Sequence, residues 1–187
     1  MEQARALGLE LTGDQASRLL KLLDELSRWN RTYNLTAITA REEMITHHLL
    51  DSLSVHADLH GETVADVGSG AGFPGLPLAV IAPERRFTLI DSSNKKVRFI
   101  AHAARTLGLT NVNAVHSRVE QMQPERPFDT VVARAFAPLP ELLEKVKPLC
   151  GPQTRVLAMK GKRPDQELAD VPSGWRVLES RTLTVPG

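Results

Sequence analysis

Cysteine occurs once, at Cys150, so the chain has no internal disulfide and no Cys/His cluster with zinc-ligand spacing. A structural metal is not expected. Tyrosine also occurs once, as Tyr33, which leaves little for a nicotinamide-dependent oxidoreductase that needs a proton-handling Tyr–Lys pair. No stretch reaches the roughly 18 consecutive apolar residues that suggest a membrane span. Met1 to Glu10 holds no apolar run of signal-peptide length, so a cytoplasmic protein with no membrane partner is expected. Neither sign of charge dominates: 23 Lys and Arg against 22 Asp and Glu give a net charge of +1. A nucleic-acid surface would therefore have to come from clustering rather than bulk charge. Internal repeats and low-complexity tracts are absent as well.

What is present fits one globular domain, 187 residues with 42% hydrophobic and 24% charged side chains. After a Thr-Gly-Asp start signal, Leu19, Leu20, Leu22, Leu23, Leu26 and Trp29 recur at helical spacing, predicting a helix over Asp14 to Trp29. A second helix is predicted over Arg41 to Asp58, with Met44, Ile45, His48, Leu49, Ser52 and Val55 on one face. Residues 1–60 thus read as a helical cap. From residue 61 to 187, short apolar runs alternate with helical segments, the signature of a mainly parallel sheet with crossover helices in an α/β, Rossmann-like fold. Strands are predicted at Thr63 to Val67, Phe87 to Ile90, Val112 to Val115, Thr130 to Ala133, Arg155 to Met159 and Trp175 to Glu179. Helices are predicted near Leu76 to Ile81, Asn94 to Leu107 and Pro140 to Leu149.

The segment from Val64 to Gly75 joins a predicted strand to a predicted helix through Gly68, Gly70, Gly72 and Gly75. Glycine lets a backbone turn tightly and approach a ligand, and the helix start adds N–H donors. Gly70, Gly72 and Gly75 also satisfy the dinucleotide pattern, so the loop alone leaves the nucleotide open. Asp66, two residues before Gly68, favours a cationic sulfonium and ammonium over a pyrophosphate, and so S-adenosylmethionine as cofactor. Asp91, at the end of the second predicted strand, is placed to accept hydrogen bonds from ribose hydroxyls; its alternative is a helix N-cap with Ser92 and Ser93.

Several further motifs occur in order: Trp29 to Thr36 (WNRTYNLT), His48-Leu49-Leu50-Asp51-Ser52, Asp66 to Pro77, Leu89-Ile90-Asp91-Ser92, Lys95 to Phe99, Ser117-Arg118-Val119-Glu120, Ala133 to Ala137 and Lys160-Gly161. With these the chain resembles, from about Leu19 onward, the 16S ribosomal RNA guanine-N7 methyltransferase family (RsmG/GidB). The resemblance implies methyl transfer from S-adenosylmethionine to guanine N7 in a decoding-region loop of bacterial 16S ribosomal RNA. The RNA would be presented in the small ribosomal subunit or its assembly intermediate, and no obligate protein partner is evident. By position, Gly68 and Phe73 would line the methionine and ribose side, Val119 and Glu120 the adenine region, and Arg134 would reach toward the cofactor or target base. The family carries a further strand beyond a point near Val185, so the core is expected to lack that final strand.

Guanine N7 has a lone pair and no proton, so this chemistry needs no general base, and no catalytic acid or base is assigned; positioning alone supplies about 7–11 kcal/mol in well-oriented systems. Cytosine C5 methylation would need a cysteine nucleophile, whereas Cys150 reads as a small buried hydrophobe. Methylation of an exocyclic amine usually goes with an Asn- or Asp-Pro-Pro-aromatic loop, and Ala133-Arg134-Ala135-Phe136 stands there instead. A methyltransferase for another RNA or a small molecule shares the fold, as does a dinucleotide-binding oxidoreductase. Arg134, past a predicted strand end, is placed to hold the cofactor carboxylate or fork onto guanine O6; its alternative is an ion pair. RNA-contact candidates are Arg28, Arg31, Asn34, Lys95, Lys96, Arg98, Arg118, Lys160, Lys162 and Arg163, with Tyr33 and Phe136 as stacking surfaces. Trp29 reads as helix-face core, and His47 and His48 as packing or capping residues with no third metal ligand at suitable spacing.

Overall fold

The computed structural model describes residues 2–162 and 164–186. Strands β1 (Thr63–Val67), β2 (Arg86–Asp91), β3 (Val112–His116), β4 (Thr130–Arg134) and β5 (Arg155–Met159) form one sheet in the order β3-β2-β1-β4-β5. Every pairing is parallel, with Val67 opposite Ile90, Asp91 opposite His116 and Arg134 opposite Met159. The strand order reverses between β1 and β4, and the carboxyl ends beside that switch point are where ligands bind in open α/β sheets.

The helices are α1 (Glu2–Ala6), α2 (Gly13–Tyr33), α3 (Arg41–Met44), α4 (Asp51–Leu53), α5 (Gly75–Ile81), α6 (Asn94–Thr106), α7 (Leu139–Val146) and α8 (Asp165–Ala169). Alternation along the strands sends Val64, Phe87, Leu89 and Val132 to one face, where they pack with Leu22, Leu23 and Leu26 of α2 and Phe99 and Ile100 of α6. Ala65, Val67, Ile90, Val131 and Ala133 face the other way, against Leu142, Leu143 and Val146 of α7. Burial on both faces explains why β1 and β4 read as continuous apolar runs in the sequence.

The predicted first helix is present and longer than its apolar stripe. Thr12 and Gln15 form a reciprocal capping box at its start, and Asn34 ends it in the left-handed region at φ 48°. Leu20 lies outside the buried stripe and is 44% exposed. The predicted continuous helix over Arg41 to Asp58 is broken instead: α3 passes into a π-helix at Ile45–Leu50, then α4 and a 3₁₀ turn at His56–Asp58. Asp51 N–H reaches back to the Thr46 carbonyl, so the turn widens while Met44, His48, Leu49, Ser52 and Val55 still face the core.

The expected strand over Trp175 to Glu179 does not form. Trp175 packs on the second core cluster, but Val177 and Leu178 are 46% and 67% exposed, and the described five-stranded sheet takes no strand from this segment. Among the described residues no helix is long and apolar enough to cross a membrane.

Candidate active site

At the end of β1 the chain turns sharply, with Gly68, Gly70 and Gly72 in the left-handed region at φ 64°, 59° and 86°. The Gly68 and Ser69 N–H groups both donate to the Ile90 carbonyl, at 2.9 and 3.1 Å, which ties the loop to the end of β2. A Cβ on Gly68 would meet the Phe136 ring at 2.3 Å, and one on Gly72 would meet Leu76 at 2.3 Å. Both positions therefore require glycine for space as well as for backbone conformation.

Asp91 ends β2 and organises the same loop from the other side. Its Oδ2 accepts from Gly70 N–H at 2.9 Å, its Oδ1 accepts from Ser93 N–H at 2.8 Å, and Lys96 Nζ stands 3.9 Å from Oδ2. Ser93, not Asp91, is the N-cap residue of α6. Beside it opens a cleft of about 290 Å³ whose walls include Gly68, Asp91, Arg118, Val119, Glu120 and Phe136. A 3₁₀ turn at Val119–Gln121 follows β3 and buries Val119 while leaving Glu120 exposed at the rim.

Asp66 is placed differently. Its side chain is fully buried beneath the loop, where Oδ2 accepts from Gly75 N–H at 2.7 Å, and Oδ1 has no hydrogen-bond partner. Burial pushes its pKa up to about 7, against the Gly75 N–H and the Arg134 charge, which pull it down. The first N–H of α5 is thus met from inside the protein, and Asp66 is not among the cleft walls.

On the opposite side of the loop, Arg134 joins the end of β4 to the N-terminal helices. Its Nη1 donates to the His47 carbonyl at 2.8 Å and lies 2.9 Å from Asp51 Oδ2. The guanidinium sits 5.7 Å from the centroid of Phe73, and His48 stacks on the same ring at 4.7 Å. His48 Nε2 lies 2.9 Å from Thr36 Oγ1. Burial first, then the Arg134 charge, lowers the His48 pKa to about 4, so the ring is neutral near pH 7. Asn30 brackets Thr36 through two further bonds, Nδ2 to its carbonyl at 3.0 Å and its N–H to Oδ1 at 2.9 Å. Arg134 is thus ion-paired in a half-buried contact and stacks on Phe73, whereas Phe73 faces these side chains rather than the cleft.

Of the cofactor positions read from the sequence, Gly68, Asp91, Val119 and Glu120 meet at the cleft, and Gly70 joins them through Asp91. Asp66, Gly72, Phe73 and Arg134 form the layer behind the loop. The RNA-contact candidates divide three ways. Arg31, Tyr33, Asn34 and Lys95 share the corner where α2 ends, since Lys95 Nζ donates to the Tyr33 carbonyl at 2.9 Å and Tyr33 packs on Trp29 at 5.2 Å. Arg118 and Phe136 border the cleft, with Lys145 Nζ 5.5 Å from the Phe136 centroid. Lys160 is engaged with Glu167, and Arg163 lies outside the described residues. Trp29 packs against Phe99 and His102, as a helix-face residue should. Burial raises the Cys150 thiol to about 11, which keeps it protonated and unreactive. Sequence reasoning missed Asp51, Lys145 and Glu167; only Asp51 stood in a noted motif, and Asp51 and Glu167 act through partners on other elements, Arg134 and Leu139, whereas Lys145 pairs with Glu141 on its own helix and lies over Phe136 just before it.

The family model described as GidB, rRNA small subunit methyltransferase G, matches residues 15–187. The chain is 48% identical to ribosomal RNA small subunit methyltransferase G of Pseudomonas paraeruginosa over 186 residues, covering 98% of this chain and 86% of that protein. It is 49% identical to the protein of the same name from Methylococcus capsulatus over 181 residues, covering 97% and 88%. Among solved structures, a SAM-dependent methyltransferase from Aquifex aeolicus superposes with a TM-score of 0.52 at 24% identity, covering 66% of this chain and 74% of that one. A ribosomal protein L11 methylase from Lactobacillus delbrueckii subsp. bulgaricus gives 0.51 at 20% identity, covering 65% of each chain. At those identities the structural matches speak for the fold alone, whereas the match to the family model covers nearly the whole sequence. The chain belongs to the GidB family, the rRNA small subunit methyltransferases G.

Proposed function

We propose that the chain transfers the methyl group of S-adenosylmethionine to N7 of a guanine in the decoding-region loop of bacterial 16S ribosomal RNA. The RNA is presented in the small subunit or an assembly intermediate, in the cytoplasm. One observation carries the reading within this fold and family: the Asp91 carboxylate is fixed by Gly70 and Ser93 N–H groups at the carboxyl edge of β2, directly beside the cleft.

The residues present fit that cofactor. Asp91 offers an acceptor for ribose hydroxyls, Val119 an apolar surface for the adenine, and Glu120 a polar rim, while the Gly68 turn brings bare backbone to the floor of the cleft. Asp66, Gly72 and Phe73 support the loop from below. When bound, the cofactor supplies an electrophilic methyl group on a sulfonium.

The chain's own residues then orient and enclose. Guanine N7 attacks with a lone pair and releases no proton, so no side chain has to act as general base. In-line positioning is the main contribution, on the order of 7–11 kcal/mol in well-oriented systems. Arg134 closes the cap side of the site, its Nη1 donors committed to His47 and Asp51. A fork from this guanidinium onto guanine O6 would leave the N7 lone pair uncontested. Phe136, part of the cleft lining, stacks on the target base, and Arg31, Asn34, Lys95 and Arg118 contact the RNA backbone around it.

The test is to incubate the purified chain with radiolabelled S-adenosylmethionine and bacterial small ribosomal subunits, digest the RNA and identify the labelled nucleoside. Label confined to 7-methylguanosine at one site is the expected result. Label in another nucleoside would replace the acceptor, and failure to bind S-adenosylhomocysteine in a calorimeter would overturn the cofactor reading.

A further inference from the structure

We infer that Lys160 and Glu167 form a positioning brace for the loop from Arg134 to Leu139, and that Lys160 acts on methyl transfer through this loop rather than by touching RNA. The inference rests on the methyl-transfer reading above and concerns residues outside the cleft.

Lys160 directly follows β5, and its ammonium points inward. Nζ donates to the Ala137 carbonyl at 2.7 Å and lies 2.7 Å from Glu167 Oε2. The same Glu167 oxygen, from α8, accepts the N–H of Leu139, the first residue of α7. The α7 N-cap is Pro138, which makes no side-chain cap bond, so Glu167 takes over that duty from another helix. One ammonium and one carboxylate therefore hold both ends of the Ala137–Leu139 turn.

That turn fixes what precedes it. Ala135 is held in the left-handed region at φ 49°, a conformation that non-glycine residues rarely adopt and that persists only where its surroundings enforce it. Its N–H reaches the Met159 carbonyl at 3.5 Å, beside Lys160. Next comes Phe136, whose ring presses on Gly68 at the floor of the cleft. The Lys160 side chain is 18% exposed, and Lys160 first, then the Leu139 N–H, holds the Glu167 carboxyl below its ordinary range. A lysine neutralised in this way offers little to a phosphate.

The two roles predict opposite signs for one substitution. If Lys160 braced nothing and met phosphates, Glu167→Gln would free its charge and tighten binding to the RNA. As a brace partner, Glu167→Gln loosens the loop. Small ribosomal subunits and radiolabelled S-adenosylmethionine are used with the full chain, its E167Q, K160M and K160R variants and the E167Q/K160M double. Expected are a fall in kcat of about tenfold to a hundredfold in each of E167Q and K160M, a double variant no worse than the worse single, and recovery of most activity in K160R. The salt dependence of subunit binding should not change in any of them.

Wild-type kcat in E167Q overturns the inference. So does tighter subunit binding in E167Q with a salt slope about one unit shallower in K160M, the mark of a lost phosphate contact. Thermal melts identify a variant that simply fails to fold, and the isosteric E167Q then carries the test without K160M. Should the wild-type chain transfer no methyl group to subunits, the functional reading fails by itself, and calorimetry with S-adenosylhomocysteine still reads the brace. Equal weakening in E167Q and K160M supports it, and unchanged affinity in both removes it.

Discussion

The two halves of the site are built by different means. On the proposed cofactor side, around Gly68, Gly70 and Asp91, the geometry comes from backbone: three left-handed glycines, two N–H groups on the Ile90 carbonyl and two on one carboxylate. On the proposed acceptor side, around Arg134 and Phe136, it comes from charged side chains reaching across the fold, Arg134 to Asp51 and to the His47 carbonyl, Lys160 to Glu167 and to the Ala137 carbonyl. Backbone placement is stiff and local. Side-chain ties are long-range, and each couples the site to another element. The first half suits a cofactor that is always the same; the second can be tuned by whatever holds its anchors.

The largest effect should come from removing the one side chain on which the backbone half depends. Asp91→Ala leaves the Gly70 and Ser93 N–H groups without their acceptor and deletes the proposed ribose contact, and unmet donors cost about 1–3 kcal/mol each when shielded. Calorimetry should show S-adenosylhomocysteine affinity reduced by about two to three orders of magnitude, with Asp91→Asn less affected because its amide oxygen still accepts. Unchanged affinity in the alanine variant would break the contrast between the halves.

Beneath the loop, Asp66 gives the next effect, in stability. Its folded pKa of about 7 lies above its ordinary 3.8, so the folded protein holds a proton that the unfolded chain releases first. Stability therefore declines as pH rises from about 4 to 7 and levels off above. Asp66→Asn removes that decline. Denaturant melts should show the variant gaining on wild type across this window, by on the order of 4 kcal/mol for a shift of this size. A parallel pH dependence in both proteins would mean that Asp66 is solvated rather than sealed.

On the acceptor side the expected effects are smaller and shared. Arg134→Ala and Asp51→Asn each loosen the junction between the π-helix and β4, and each should lower kcat/KM for small subunits by about tenfold. Because they remove one ion pair, the double variant should fall short of the sum. S-adenosylhomocysteine affinity should change less than methyl transfer. Additive losses would show the two residues acting separately.

The same contrast explains what could be read in advance. The glycine loop was legible because each glycine answers a local demand, and β1 and β5 keep the bounds that their apolar runs suggest. The interruption at Ile45–Leu50 was not: periodicity sees an unbroken stripe, while the widened turn shares its His47 carbonyl with an arginine 87 positions later. Trp175 to Glu179 has strand-like composition, but a strand needs a neighbour, and composition does not supply one. Lys160 reads as a basic residue near RNA, and its ion pair with Glu167 of α8 is not visible in sequence spacing. Asp66 reads as a ligand to a cation, and its location beneath the loop follows only from the return of Gly75 N–H to its carboxylate.

Far from the site, Glu25 tests whether burial alone sets the sign of a carboxylate's contribution. Like Asp66 it is almost fully enclosed, its side chain 5% exposed between α2 and α6. Burial again pushes its pKa up, but His102, 2.7 Å away, and Arg28 donate to its oxygens and outweigh burial, so the pKa falls below the ordinary 4.5. The sign of linkage therefore reverses relative to Asp66. Glu25 stabilises the fold fully above about pH 4.5, and that contribution is lost as pH falls through its lowered value. Glu25→Gln keeps the shape and removes the charge, so the wild type should be more stable by about 1 kcal/mol near neutrality, the size of a net hydrogen bond, with the gap closing in acid. If the gap instead widened in acid, His102 and Arg28 would not be holding the carboxylate ionised. Two enclosed carboxylates in one small protein would then obey burial alone, and partners would decide nothing.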